Sequence, residues 1–184
     1  CMEYLILGLL LLAPMTGYQL QQFIRQNLSL ICSHSAGSVQ AALAKLERDG
    51  FATSTETAQG KRHKKTYSIT EAGREAFSAW VARPMQAGKN KNMELARLFF
   101  LGMADPAQRT AAIRDYLEQT VRMQAMLEAI RERFRQARSG PLPPGRGWEP
   151  VFRFQGYALE YGIAAARFEQ EWYTHLLTQL EEEP

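Results

Sequence analysis

Between Gly50 and Thr70 the chain abandons the helical spacing of apolar residues that rules on either side, and this interruption limits the fold more than any other feature. Phe51-Ala52-Thr53-Ser54-Thr55-Glu56-Thr57 is short and threonine-rich, and Thr66-Tyr67-Ser68-Ile69 is a second β-prone run. Between them stands Gln59-Gly60-Lys61-Arg62-His63-Lys64-Lys65. Branched and aromatic residues in short runs bounded by glycine predict two strands around a basic turn.

The residues before this hairpin read as three short helices. From Glu3 to Leu12 apolar side chains surround the axis, as in a short helix packed inside a small domain, and Ala13-Pro14 ends it. Thr16 offers an N-cap to a second helix whose apolar positions are Tyr18, Leu20, Phe23, Ile24 and Leu28. A third opens near Ser35, turns Val39, Leu43 and Leu46 inward, and stops at Asp49-Gly50, where glycine supplies a left-handed cap. Its outward face is Ser38, Gln40, Ala41, Ala44, Lys45 and Arg48.

After the hairpin, Thr70 caps a fourth helix with an apolar face at Ala76, Phe77, Trp80 and Val81. The order helix, helix, helix, strand, strand, helix is that of a winged helix-turn-helix. Residues 83–92 contain Pro, Gly and two Asn and predict a linker. The rest is helical: Glu94 to about Met103, then a long helix opened by Asp105-Pro106 and running to about Arg138. Its stripe is Ile113, Leu117, Val121, Leu127, Ile130 and Phe134. Ser139 to Gly147, rich in Pro and Gly, breaks it, and a last helix runs from near Glu149 to about Leu180. The expectation is a mainly α protein with a small β-wing: residues 1–82 a winged helix-turn-helix, 83–92 a linker, and 93–184 an antiparallel helical domain for dimerisation and effector binding.

Composition excludes more than it selects. The 184 residues carry a formal net charge of +3, and the halves differ little: eight Lys or Arg against six acids in residues 1–80, fourteen against thirteen in 81–184. Any signal for a polyanionic partner is therefore local. Two cysteines exclude a disulfide framework, and Met2 reads as the natural start, with Cys1 as an addition before it. The apolar run Tyr4 to Leu12 is about half the length a bilayer requires, which predicts a cytoplasmic protein without a membrane partner. No glycine-rich phosphate loop or nucleophile motif is present, and Cys32 with His34 makes half a metal site at most, so neither an enzyme nor a cofactor nor a metal is expected. A thiol switch at Cys32 is the remaining chemical option.

A helix that reads base edges needs short polar residues at its start, and Ser35, Gly37, Ser38 and Gln40 meet that need, with Gln40 suited to an adenine edge. Tyr18 and Lys45 are carried with them as candidate DNA contacts. Taken alone, such a stretch is a solvated helix face, and the run Lys61, Arg62, Lys64, Lys65 is a solvated turn. Together they form a recognition helix flanked by a basic wing that neutralises phosphates or enters a minor groove. One helix reads few base pairs, so two copies are expected, joined through Leu117, Val121, Leu127, Phe154, Tyr157, Tyr161, Ala165, Phe168, Trp172 and Leu176. Gly162, Ala164, Ala165 and Ala166 let helices approach, and the flanking aromatics either pack the dimer or wall a pocket for a planar apolar effector.

Several strings resemble the PadR family of bacterial transcription regulators: Leu7-Gly8-Leu9-Leu10 with Pro14-Met15-Thr16-Gly17-Tyr18-Gln19-Leu20, the stretch Ser35 to Leu43 continuing to Phe51, and Tyr67-Ser68-Ile69-Thr70-Glu71-Ala72-Gly73. Met93-Glu94-Leu95-Ala96-Arg97-Leu98-Phe99-Phe100 and the long helices resemble the larger subgroup that includes virulence-gene activators. The resemblance implies a homodimeric regulator of double-stranded operator DNA, a repressor by preference, with a small hydrophobic or phenolic effector in some members. Where the family usually places a backbone-contacting Tyr on the recognition helix, this chain has Gln40, followed by Ala41 instead of Pro. That departure supports the alternative, a winged-helix interaction module without specific DNA binding. An RNA binder is disfavoured because the strands lack paired surface aromatics.

Overall fold

A computed structural model of the chain describes residues 2–29, 31–32, 34–88 and 92–183, without the side chain of Gln59. Cys1 and residues 89–91 of the expected linker lie outside the described residues. The chain divides into two units, Cys1–Ala87 and Gly88–Pro184.

In the first unit the elements are α1 (Met2–Leu12), β1 (Met15–Thr16), α2 (Gly17–Asn27), α3 (Ala36–Arg48), β2 (Ala52–Gln59), β3 (Arg62–Ile69) and α4 (Glu71–Val81). Ile6, Leu7, Leu9 and Leu10 of α1 meet Leu20 and Ile24 of α2, Val39, Leu43 and Leu46 of α3, and Ala52 and Tyr67 of the sheet in one core. The three strands are antiparallel in the order β1-β3-β2. The two-residue β1 has no counterpart in the sequence expectation, because Met15 and Thr16 become a strand only by pairing with Tyr67 and Thr66.

Four polar or glycine devices fix this unit. Thr16 and Gln19 form a reciprocal capping box, the Thr16 Oγ1 accepting from the Gln19 N–H at 3.1 Å and the Thr16 N–H donating to Gln19 Oε1 at 2.9 Å. Gly50, at φ +75°, ends α3, with Gly50 N–H donating to Glu47 O and Phe51 N–H to Leu46 O, the paired bonds of a Schellman stop. Gly60, at φ +64° and followed by Lys61 at negative φ, makes the two-residue hairpin turn with the signs of type II′. At the base of the wing Thr70 Oγ1 donates to Gly50 O at 2.7 Å and accepts from Gly73 N–H at 3.1 Å. There a Cβ on Gly73 would lie 2.2 Å from Phe51 O.

The turn is shorter than the sequence suggests. Only Gly60 and Lys61 turn; Arg62 to Lys65 belong to β3, opposite Gln59, Ala58, Thr57 and Glu56 in register. Consecutive cations are poor strand formers alone, and cross-strand pairing with threonine-rich β2 overrides that preference. Two inward assignments also fail, since Tyr18 is 69% exposed and Val81 61% exposed. Tyr4 stacks on Trp80 at 4.9 Å and Phe77 covers Gly8, so Phe77 and Trp80 suffice to seat α4 on α1.

The second unit holds α5 (Met93–Phe100), a 3-10 turn (Leu101–Met103), α6 (Pro106–Ser139) and α7 (Trp148–Glu182). On α7 the covered positions Phe152, Gly156, Leu159, Ile163, Ala166, Gln170, Tyr173 and Leu177 alternate steps of four and three, a heptad seam against α6. Ile113, Leu117, Thr120, Gln124, Leu127 and Phe134 face it. The expected Val121 is 51% exposed, and Thr120, 2% exposed, takes the seam instead, its hydroxyl donating to Leu117 O at 2.7 Å. Gln170 hydrogen-bonds to Gln124, and ion pairs Arg114–Glu181, Arg138–Glu149 and Arg167–Glu128 join the two helices along their length. Among the described residues no helix is long and apolar enough to cross a membrane.

Candidate nucleic-acid interface

The first unit presents an open groove of about 870 Å³. Thr16 to Gln19 at the start of α2 form one bank, Arg62 to Lys65 of β3 form the other, and Gln40 and Tyr67 lie between. Because strand side chains alternate, His63 and Lys65 share the face of the buried Tyr67, whereas Arg62 and Lys64 occupy the opposite face. The opening turn of α2 points its backbone N–H groups to the same bank, adding the partial positive charge of a helix N-terminus. The result is a concave cationic strip beside α3, with the exposed Tyr18 ring at its edge.

Helix α3 begins at the Ser35 cap, whose Oγ accepts from Ser38 N–H at 3.2 Å and lies 2.6 Å from Ser38 Oγ. Ser38 is therefore half-buried and engaged in the cap. Gln21 Nε2 donates to His34 O at 3.2 Å, tying the connection before α3 to α2. The exposed ridge of α3 runs through Gly37, Ala41, Ala44 and Arg48. Small residues there let a backbone approach a base edge closely. Arg48 is an exposed basic group on this ridge, which a search for short polar residues at the helix start does not select.

Gln40 is exposed, yet its amide folds over the start of α2: a Cβ at Gly17 would lie 2.6 Å from Gln40 Nε2. Glycine at position 17 thus leaves room for this side chain. Lys45 points away from the ridge, its Nζ 3.7 Å from both Glu3 Oε1 and Asp49 Oδ2. The structure accordingly gathers Tyr18, Gln40, Arg62, Lys64 and Lys65 at one groove, puts Lys61 at the wing tip, Ser35 and Gly37 at the head of α3, and separates Lys45. Cys32 Sγ donates to Leu28 O at 3.7 Å, and burial pushes its thiol pKa up, which works against the reactive thiolate a redox switch needs.

The residues expected to join two copies fall into two sets. Leu127 packs with Ile130 and Ile163 within the hairpin, and Leu117 lies half-buried in the same seam, so these two serve the intramolecular core. Phe154, Tyr157, Tyr161, Phe168 and Trp172 are exposed by 44–77% and form a second stripe on α7, with Ala165 and Leu176 half-buried beside it and Val121 exposed on α6. Of the other aromatics, Phe152 packs on Phe134 and Tyr173 on Tyr116. The small residues divide likewise: Gly162 faces Leu127 and Ala166 is buried, while Ala164 points outward.

Comparison with known proteins accords with this geometry. A family model described as the transcriptional regulator PadR-like family matches residues 6–79, and one described as virulence activator alpha C-term matches residues 90–181. The negative transcriptional regulator PadR of Bacillus subtilis (strain 168) is 26% identical over 119 residues, a match that spans 64% of this chain and 65% of that protein. The crystal structure of Bacillus subtilis PadR in complex with operator DNA superposes with a TM-score of 0.78 at 20% identity, over 97% of this chain and 96% of that one. The structure of the same regulator in complex with p-coumaric acid gives 0.71 at 19% identity, over 98% of each chain. With both halves matched and the winged-helix order present in full, this chain belongs to the PadR-like family of transcriptional regulators, in the branch that carries the virulence-activator C-terminal region.

Proposed function

We propose that the chain is a homodimeric repressor that binds a partly palindromic operator. Residues 1–82 serve as the DNA-binding head, 83–92 as the linker, and 93–184 as the dimerisation domain, which also takes a small aromatic or hydrophobic effector. The observation that carries this reading is the cationic groove: β3 brings Arg62, Lys64 and Lys65 to the groove that Gln40 of α3 also lines, so a duplex whose major groove receives α3 meets the wing with its phosphates. Tyr18 stands at the near bank, where the backbone of the same duplex passes, and Gln40 lies between the banks. The exposed aromatic stripe of α7 supports a second copy, because five large rings in one line are an unusual surface to leave in water. The relative's operator complex supports the DNA partner, its name supports the sign of regulation, and its p-coumaric acid complex supports the effector.

The test is fluorescence anisotropy on the duplex upstream of the chain's own gene, titrated against salt and compared with a scrambled duplex of equal length. Tighter, salt-sensitive binding to the upstream duplex is expected. Equally weak binding to both would transfer the preference to the interaction-module reading, for which the displacement of Gln40 toward Gly17 is the structural argument.

A further inference from the structure

A cavity of about 290 Å³ lies wholly within the second unit, between α5, the early part of α6 and Tyr173 of α7. Its volume sits at the lower edge of small-molecule pockets, roughly 300 Å³ and above, which suits a ligand with one ring. Leu98, Leu101 and the buried Ile113 form an apolar wall. Tyr116 and Tyr173 form an aromatic one, their ring centroids 4.5 Å apart and inclined by 54°. This is a different place from the outward stripe of α7 where sequence reasoning put an effector pocket.

The charges around these walls are unequal. Glu94 and Asp115 line the cavity, and Glu169, outside the lining, accepts from the hydroxyl of the lining residue Tyr116 at 3.0 Å. The cation in the lining is Arg97, already paired with Glu94 at 3.1 Å. Asp115 accepts from the neutral Gln119 Nε2 at 2.7 Å. Among the described residues neither Asp115 nor Glu169 has an ion-pair partner. Burial together with Glu169 pushes the Tyr116 phenol well above its ordinary range, so it remains a neutral donor to that carboxylate. Two carboxylates in the lining and a third at the Tyr116 hydroxyl, against one guanidinium, leave an excess of negative charge beside two tyrosine rings. An anionic ligand would have to separate Arg97 from Glu94 and then sit against Asp115. An ammonium meets attraction from the carboxylates.

We propose that this cavity binds a small organic cation, an ammonium group carried on a single aromatic or aliphatic body, with Asp115 holding the charge, Glu169 adding its field from the Tyr116 hydroxyl, and Leu98, Leu101 and Ile113 receiving the body. A regulatory consequence of that binding rests on the operator reading above; the binding itself does not.

The experiment is isothermal titration calorimetry of the whole chain, without DNA, with 2-phenylethylammonium as the probe and 3-phenylpropanoate as a comparator of similar shape and opposite charge. The cation is expected to saturate, to weaken as salt rises, and to bind at least about tenfold more tightly than the anion. Glu169→Gln still accepts the Tyr116 proton, and Asp115→Asn alters an exposed side chain. Asp115→Asn should weaken the cation by about tenfold, the loss of one charge-assisted hydrogen bond, and Glu169→Gln by less, with helicity by circular dichroism unchanged in both. Absence of saturable heat up to millimolar probe, equal or tighter binding of 3-phenylpropanoate, or unchanged affinity in both folded variants would overturn the assignment. Because no DNA is present, failure to recognise an operator would leave this result untouched.

Discussion

At the scale of single residues, the base of the wing depends on one missing side chain. Gly73 lets α4 start directly against Phe51 O and Ile69, and a methyl group there would lie 2.2 Å and 2.8 Å from them. Gly73→Ala should therefore lower stability by about 1–3 kcal/mol through overpacking, measured by urea denaturation with an unchanged slope. Three tyrosines give a pH signature. Burial raises the pKa of Tyr67, Tyr116 and Tyr173 above the ordinary 10.0, with Glu169 adding to it at the last two. A phenol whose folded pKa is raised contributes stability that is complete below its unfolded pKa and disappears as pH climbs through the folded one. The fold should thus hold steady up to about pH 10 and weaken above it. Tyr116→Phe should flatten that alkaline decline in thermal-denaturation midpoints taken from pH 8 to 11.

At the scale of elements, the wing and α3 are expected to do different work. Replacing Lys61, Arg62, Lys64 and Lys65 together by alanine should weaken binding to operator and scrambled duplex alike. It should also reduce the slope of log affinity against log salt by about 0.9 for each phosphate that is no longer neutralised. Replacing Gln40 by alanine should alter preference among sequences more than affinity for random DNA. Equal losses on both duplexes would remove Gln40 from base reading and leave it as a spacer between α3 and the start of α2. Ser38 is expected to behave as part of the cap, since its hydroxyl lies against that of Ser35.

At the scale of the molecule, the two stripes of α7 predict separable defects. The seam that includes Phe152, Leu159, Ile163 and Tyr173 holds the hairpin together, whereas Phe154, Tyr161 and Phe168 lie outside it. Phe154→Glu, Tyr161→Glu and Phe168→Glu combined should leave helicity near that of the parent while converting a dimer to a monomer in sedimentation velocity. Operator affinity should fall with it, because one head contacts one half-site. Loss of helicity along with the dimer would instead place these rings in the hairpin's own core.

Local chemistry made much of this legible in advance. Caps at Thr16, Ser35 and Thr70, the glycine stop at Gly50 and the breaks at Pro14 and Ser139–Gly147 act on the residues beside them, so the order of the helices and of the two hairpin strands followed from the sequence. The same was true of the cationic run, although its placement on a strand was not. What needed three dimensions was every choice between near-equivalent partners. Met15 and Thr16 became a strand because Tyr67 and Thr66 were waiting. Lys64 and Lys65 became strand residues because β2 lay opposite. Thr120 displaced Val121 because a heptad seam selects by position before hydrophobicity. Tyr18 was turned outward, Gln40 was drawn over Gly17, and Glu169 was brought to Tyr116 across fifty-three positions of sequence. Sequence alone determined where the backbone could start and stop regular structure, since those signals act over one turn. Only the tertiary structure decided which face each side chain occupies and which charges share a cavity, because both depend on elements far apart along the chain.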